Sequence, residues 1–233
     1  MIFEQLFEPD TNTFTYIVGC PRTKEAAIID PVIQTLDRDL EVLRKHGLTL
    51  KWVLDTHVHA DHVTAADALR QATGAQSVLS SAVDVACVSR SVADGEVIEV
   101  GDVRIEARHT PGHTNGCMSL YADDRVFTGD ALLINGCGRT DFQEGDAGVL
   151  YDSIHNKLFS LPDDTLVFPG HDYNGNTQST IGQEKAHNKR LGGGRPREDF
   201  IELMNNLNLP YPRYIDEALP ANKACGSSHA PQG

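Results

Sequence analysis

Within six positions of the segment Thr56-His57-Val58-His59-Ala60-Asp61-His62 stand three imidazoles and one carboxylate. Imidazole suits zinc, iron, copper and nickel, and a carboxylate adds a harder oxygen donor. Leu50 to Leu54 reads as a short buried strand, and Val63 to Thr73 as a helix. The segment therefore occupies a strand-to-helix loop, where a rigid scaffold can converge several side chains on one point. One histidine in such a loop would be an ordinary polar residue. Four ligands packed this densely describe a metal site, and the fold must place that loop at a strand end.

The flanking pattern supplies such a scaffold. Thr13 to Val18 and Ala26 to Asp30 form two short strands across the turn Gly19-Cys20-Pro21-Arg22, with Pro31 ending the second. Leu36, Leu40 and Leu43 give helical spacing as far as Gly47, and Ala65 to Gly74 is a second helix. Ser77 to Ser80 is a further strand. Alternating segments follow at Val97–Val100, Val103–Ala107, Met118–Tyr121 and Arg125–Phe127. Helices are expected over 146–160 and 177–190, flanking the strand Thr165–Phe168. Gly192 to Gly194 forms a break, and Pro196 opens a last helix through Asn206. The residues after Pro220 are small and polar and are expected to be peripheral. Strands mixed with helices in this way predict an α/β chain with helices on sheet surfaces, and periodicity leaves open whether there are one or two sheets.

The chain of 233 residues has room for one large domain, with or without an appendage. Its net charge of −13 excludes a broad contact with nucleic acid but leaves room for a small basic pocket. No basic and apolar leader is visible at the start, and no run reaches the roughly 20 apolar residues of a membrane span. The five cysteines lie at 20, 87, 117, 137 and 225. An odd count without paired spacing fits free thiols in a reducing compartment, hence a cytoplasmic protein.

Three more candidate ligands stand beside glycines at strand ends: His113 in Thr110-Pro111-Gly112-His113, Asp130 in Thr128-Gly129-Asp130, and His171 in Pro169-Gly170-His171. In this order, His57-x-His59-x-Asp61-His62, His113, Asp130 and His171 resemble the metallo-β-lactamase superfamily. That resemblance implies an αββα sandwich with two central mixed sheets. A narrower resemblance, to the persulfide dioxygenase family, covers nearly the whole chain. It rests on the 56–62 segment, Thr128 to Ile134, Gly136 to Gln143, Phe168 to Tyr173 and Asn205 to Pro210.

The family resemblance implies one iron(II) per chain, held by His57, His113 and Asp130, with open positions for a sulfur ligand and O₂. The implied reaction oxidises glutathione persulfide to glutathione and sulfite. His59, Asp61, His62 and His171 would then orient the ligands or outline a vacant second metal site. Arg139, Tyr173 and Arg190 would line the glutathione pocket, since an arginine grips a carboxylate through two parallel bonds. Cys117 and Cys137 are expected as small packing groups beside the site, with a redox role as the other reading. A single domain over 1–233 is expected, with a helical extension from about 196 and a peripheral tail after about 220. No sulfurtransferase domain is fused, so such a partner would be a separate protein; a homodimer is the other partner expected. The rival functions are a binuclear glutathione thioester hydrolase of the glyoxalase II kind and a metal-binding scaffold protein that has lost activity.

Overall fold

The computed structural model describes residues 1–227, so the last part of the expected tail, 228–233, lies outside the described residues. Two six-stranded sheets form the centre. The first runs in the order β1 (Ile2–Glu8), β2 (Thr13–Gly19), β3 (Glu25–Ile29), β4 (Thr49–Leu54), β5 (Gln76–Ser80), β6 (Arg90–Val92). Its first three strands are antiparallel and the rest join in parallel. The second sheet contains β7 (Val97–Val100), β8 (Val103–His109), β9 (Met118–Ala122), β10 (Arg125–Gly129), β11 (Leu166–Pro169) and β12 (Ser179–Thr180), in reverse chain order across the sheet. Its one parallel pair is β10 with β11.

Period-2 alternation assigns each strand two buried faces. Tyr16, Val18, Ala27 and Ile29 point inward to meet Ile98, Ile105, Phe127 and Phe168 from the other sheet. Their neighbours Ile17, Ala26, Ile28 and Val53 point outward under α1 (Leu36–Lys45) and α2 (Ala66–Thr73). Val126 and Val167 likewise pack under α3 (Ala147–Ser153), α4 (Ile181–His187) and α5 (Arg197–Asn205). Each fully buried side chain of this size contributes about 1.5–3 kcal/mol. The expected αββα sandwich of two mixed sheets is the observed architecture. Helix α1 stops where Gly47 takes a left-handed φ of 63°, which glycine adopts without a Cβ clash.

Two expectations need correction. The stretch after Pro220 is not peripheral as far as it is described. Pro220 lies inside α6 (Ile215–Lys223), and Asn222 and Cys225 are buried. Small polar residues hid this, because their burial comes from hydrogen bonding to the metal loop rather than from apolar packing. The cysteines are not all free either: Cys87 and Cys225 form a disulfide across 138 residues, while Cys20, Cys117 and Cys137 are buried thiols. A separation of that size leaves no local spacing signal to read. Edge strand β1 had also gone unread, since its residues are half-buried without clean alternation.

Candidate metal centre

Four loops converge at one edge of the sandwich. They follow β4, β8, β10 and β11, and they carry His57, His113, Asp130 and His171 respectively. Backbone bonds hold them in register: Met118 N donates to Thr56 O at 2.9 Å, and Gly170 N donates to Gly129 O at 2.8 Å. The parallel pairing of β10 with β11 thus delivers Asp130 and His171 side by side.

The ligand atoms of His57, His113 and Asp130 all lie within 4.8 Å of one another. Burial pushes the His57 pKa well below its usual value, helped by the neighbouring His59 and His113, so its ring is neutral and able to ligate. His113 Nδ1 lies 2.7 Å from the Arg139 carbonyl, which fixes the proton on Nδ1. Its Nε2 is left as a lone pair facing Asp130 Oδ2 at 3.5 Å. A carbonyl behind a histidine in this way is how metal-binding imidazoles are commonly oriented.

A second group stands beside the first. His59, Asp61 and His62 also offer ligand atoms within 4.8 Å of one another. His171 Nε2 bridges the two groups, 3.3 Å from Asp61 Oδ2 and 3.5 Å from Asp130 Oδ1. His59 Nδ1, His62 Nε2 and Asp130 Oδ1 are buried without a hydrogen-bond partner. Buried polar atoms left unpaired are costly, so two of them in the second group and one in the first suit cations at these positions. The donor set of both groups therefore fits a transition metal.

Asp30 organises this loop and was absent from the sequence candidates. Its Oδ1 accepts the Thr56 N–H at 2.7 Å and lies 3.0 Å from His59 Nε2; its Oδ2 accepts the Thr56 hydroxyl at 2.9 Å. Burial alone would depress the His59 pKa, but the charges of Asp30, Asp61 and Asp55 outweigh it and hold it at about 10. Asp30 directly follows β3, which is parallel to β4, so an acid just past a strand end beside the metal strand was the available signal. Asn222 was missed as well. It donates to His59 O and His62 O, both at 2.8 Å, and accepts the Thr64 N–H at 2.9 Å.

A cleft of about 610 Å³ opens onto His113, Asp130 and His171. The three expected pocket residues all line it, in different states. Tyr173 is exposed and stacks on the His171 ring. Arg190 donates one bond to Cys137 O at 2.7 Å and has no carboxylate partner among the described residues. Arg139 is engaged: it forks onto Asp141 at 2.7 and 2.8 Å and donates to Pro210 O at 2.8 Å. Arg139 thus ties the 136–143 loop to the segment before α6, and Arg190 is the more available cation. Burial raises the thiols of Cys117 to about 12 and of Cys137 to about 11, so both are protonated packing groups.

The metallo-β-lactamase superfamily profile matches residues 9–171. The chain is similar to the persulfide dioxygenase ETHE1, mitochondrial, of Homo sapiens, with 46% identity over 97% of this chain and 89% of that one. It is similar to the crystal structure of ETHE1 from Myxococcus xanthus, with a TM-score of 0.95 and 52% identity over 97% of this chain and 100% of that one. The hydroxyacylglutathione hydrolase of a Polaromonas species is 37% identical over 79% of this chain and 72% of its own.

Proposed function

Because the chain belongs to the metallo-β-lactamase superfamily, and its near full-length relatives there are persulfide dioxygenases, we propose that it oxidises glutathione persulfide. With O₂ and water the products are glutathione and sulfite. The observation that carries this reading is one trio of two nitrogens and a carboxylate, His57, His113 and Asp130, of which His113 and Asp130 line a cleft that also holds an available arginine. That donor set favours iron(II) and, when the ion is bound, supplies open positions for a soft sulfur anion and O₂.

The residues of the chain supply the rest. His57 presents an unprotonated nitrogen, and the Arg139 carbonyl accepts from His113 Nδ1, which turns Nε2 toward Asp130. His171, itself beside Asp61, braces Asp130 from the other side. Arg190 grips a glutathione carboxylate, and Tyr173 covers His171 at the mouth of the cleft. Fixing the thiol carrier in this way makes the approach of sulfur and O₂ nearly unimolecular.

Arg190 acts on binding alone, since its contact is the same in ground and transition states. Arg190→Ala will raise KM for glutathione persulfide and leave metal content and kcat nearly unchanged. Loss of one charge-assisted contact is worth about 1.5–3 kcal/mol, roughly 10–150-fold in kcat/KM. A small persulfide without carboxylates serves as the control. Equal damage to both substrates would move Arg190 out of the pocket.

The second reading is the binuclear thioester hydrolase, favoured by the assembled second trio. Oxygen consumption with glutathione persulfide, on protein of measured metal content, separates the two. One iron per chain with O₂ uptake supports the dioxygenase. Two metals with thioester cleavage and no O₂ uptake would overturn it; no uptake with any persulfide and no cleavage would leave the scaffold reading.

The proposal includes one domain over 1–233, a separate sulfurtransferase as persulfide supplier, and a homodimer. Among the described residues no helix is long and apolar enough to cross a membrane. A cytoplasmic location belongs to the proposal as well.

A further inference from the structure

The metal loop is held at two ends by unrelated parts of the chain. Asp30, from the central sheet, holds its start through Thr56. Its far end is held from the C-terminal segment. Asn222 is 6% exposed, and its side-chain amide spends both donors and its acceptor on the loop backbone at His59, His62 and Thr64. Gly226, at a φ of +75°, lies so close that an added Cβ would stand 2.1 Å from Thr64 O. Asp67 N donates to Cys225 O at 3.1 Å. Residues 222–226 therefore form one wall of the loop.

Those hydrogen bonds and one covalent tie fasten that wall. Pro220 interrupts the donors of α6 just before it. Its covalent tie is Cys225 to Cys87, in the loop between β5 and β6. Neither cysteine belongs to the apolar cluster between the sheets or to the two beneath the helices. Opening the bridge removes a constraint on the wall without removing core contacts.

We propose that Asn222 is a positioning residue for the metal loop, and that the Cys87–Cys225 bridge is a thiol-cleavable lock that keeps it in place. Cys87 is half-buried and Cys225 is buried, so an incoming thiolate attacks Cys87 Sγ. The S–S bond breaks, a mixed disulfide forms at Cys87, and Cys225 leaves as a thiolate that takes a proton. A second thiol displaces the first from Cys87. In sum two low-molecular-weight thiols are oxidised to their disulfide, and the protein gains two electrons and two protons as two cysteine thiols. Glutathione, the thiol released in the proposed reaction, has the required chemistry. In a reducing compartment, disulfides that form at all are mostly transient or redox-sensing, as a lock of this kind would be.

The test reads metal retention, not turnover, so it stands apart from the choice of substrate. Iron(II)-loaded protein is kept anaerobic, oxidised or treated with glutathione, then mixed with a colorimetric iron chelator. Thiols are counted by alkylation and mass, and secondary structure is followed by circular dichroism. Glutathione should expose two further alkylatable cysteines and speed iron loss about 10–100-fold, the scale of disturbing groups that orient metal ligands. Secondary structure should not change. Cys87→Ser should match the reduced protein and ignore glutathione. Asn222→Ala should lose iron as fast while oxidised, and reduction should add nothing further. The lock is refuted if reduced wild type and Cys87→Ser hold iron as tightly as the oxidised protein. It is refuted equally if reduction accelerates iron loss from Asn222→Ala by the wild-type factor, or if reduction unfolds the sheets.

Discussion

His113→Ala will lose its iron and its oxygen consumption together, while the fold survives. The residue sits in a loop between β8 and β9, only part-buried, and contributes nothing to the three apolar clusters. Its ring spans the site, with Nδ1 on the Arg139 carbonyl and Nε2 facing Asp130. Removing it leaves one imidazole and one carboxylate, too few donors to hold iron(II) against water. Turnover should fall by more than about a thousandfold, the equivalent of roughly 4 kcal/mol of transition-state stabilisation. Metal analysis and an oxygen electrode on one preparation decide the matter. A variant retaining full iron and full uptake would remove His113 from the centre.

Asp30→Ala will have the largest effect on stability. Asp30 is 1% exposed and His59 2%, and the carboxylate is shared among His59 and two groups of Thr56. Removing one partner of a buried pair strands the other charge, at a cost of about 3–5 kcal/mol. The variant should also bind metal poorly, because Thr56 directly precedes His57. Urea unfolding of the metal-free proteins measures the first effect and metal titration the second. The pair has a pH signature too. The folded His59 pKa, about 10, lies above the ordinary 6.5. The stability it contributes is complete below about pH 6.5 and is lost as pH rises through 10. Asp30→Ala should flatten that alkaline slope, leaving only what Asp61 and Asp55 contribute. A variant within 1 kcal/mol of wild type, with the slope intact, would show that Asp30 is not the counter-charge.

The sequence disclosed ligands more readily than supports, and the reason is distance along the chain. His57 to His62 announce themselves because their donors are local. His113, Asp130 and His171 each stand beside a glycine at a strand end, which is visible in a single pass. The four-layer arrangement followed from resemblance; the alternation of Ile17 against Tyr16, and of Val126 against Phe127, accounts for it once two sheets are known. Asp30 acquires its role only when β3 lies parallel to β4, which places it 26 residues from Thr56 in sequence and in contact with it in space. Asn222 reaches Thr64 across 158 residues. No periodicity marks either residue. Arg139 shows a different difficulty: the resemblance implied a contact with the thiol carrier, and no pattern in the sequence announced that Asp141, two positions on, takes up its fork.

Each sheet is contiguous in the chain, the first ending at Val92 and the second beginning at Val97. His57 belongs to one sheet, and His113, Asp130 and His171 to the other. Neither half owns the whole of the proposed trio His57, His113 and Asp130, so an ion held there reports the docking of the two. During synthesis the first half emerges with an unfinished site and must wait for residue 130 before the trio exists. Affinity for the metal is then free energy of assembly, because an ion that binds only the docked halves holds them together. Loading with iron is a late checkpoint on a finished molecule. A chain stalled or cut between the sheets would carry the most conspicuous ligand motif in the sequence and still bind nothing in the intended geometry.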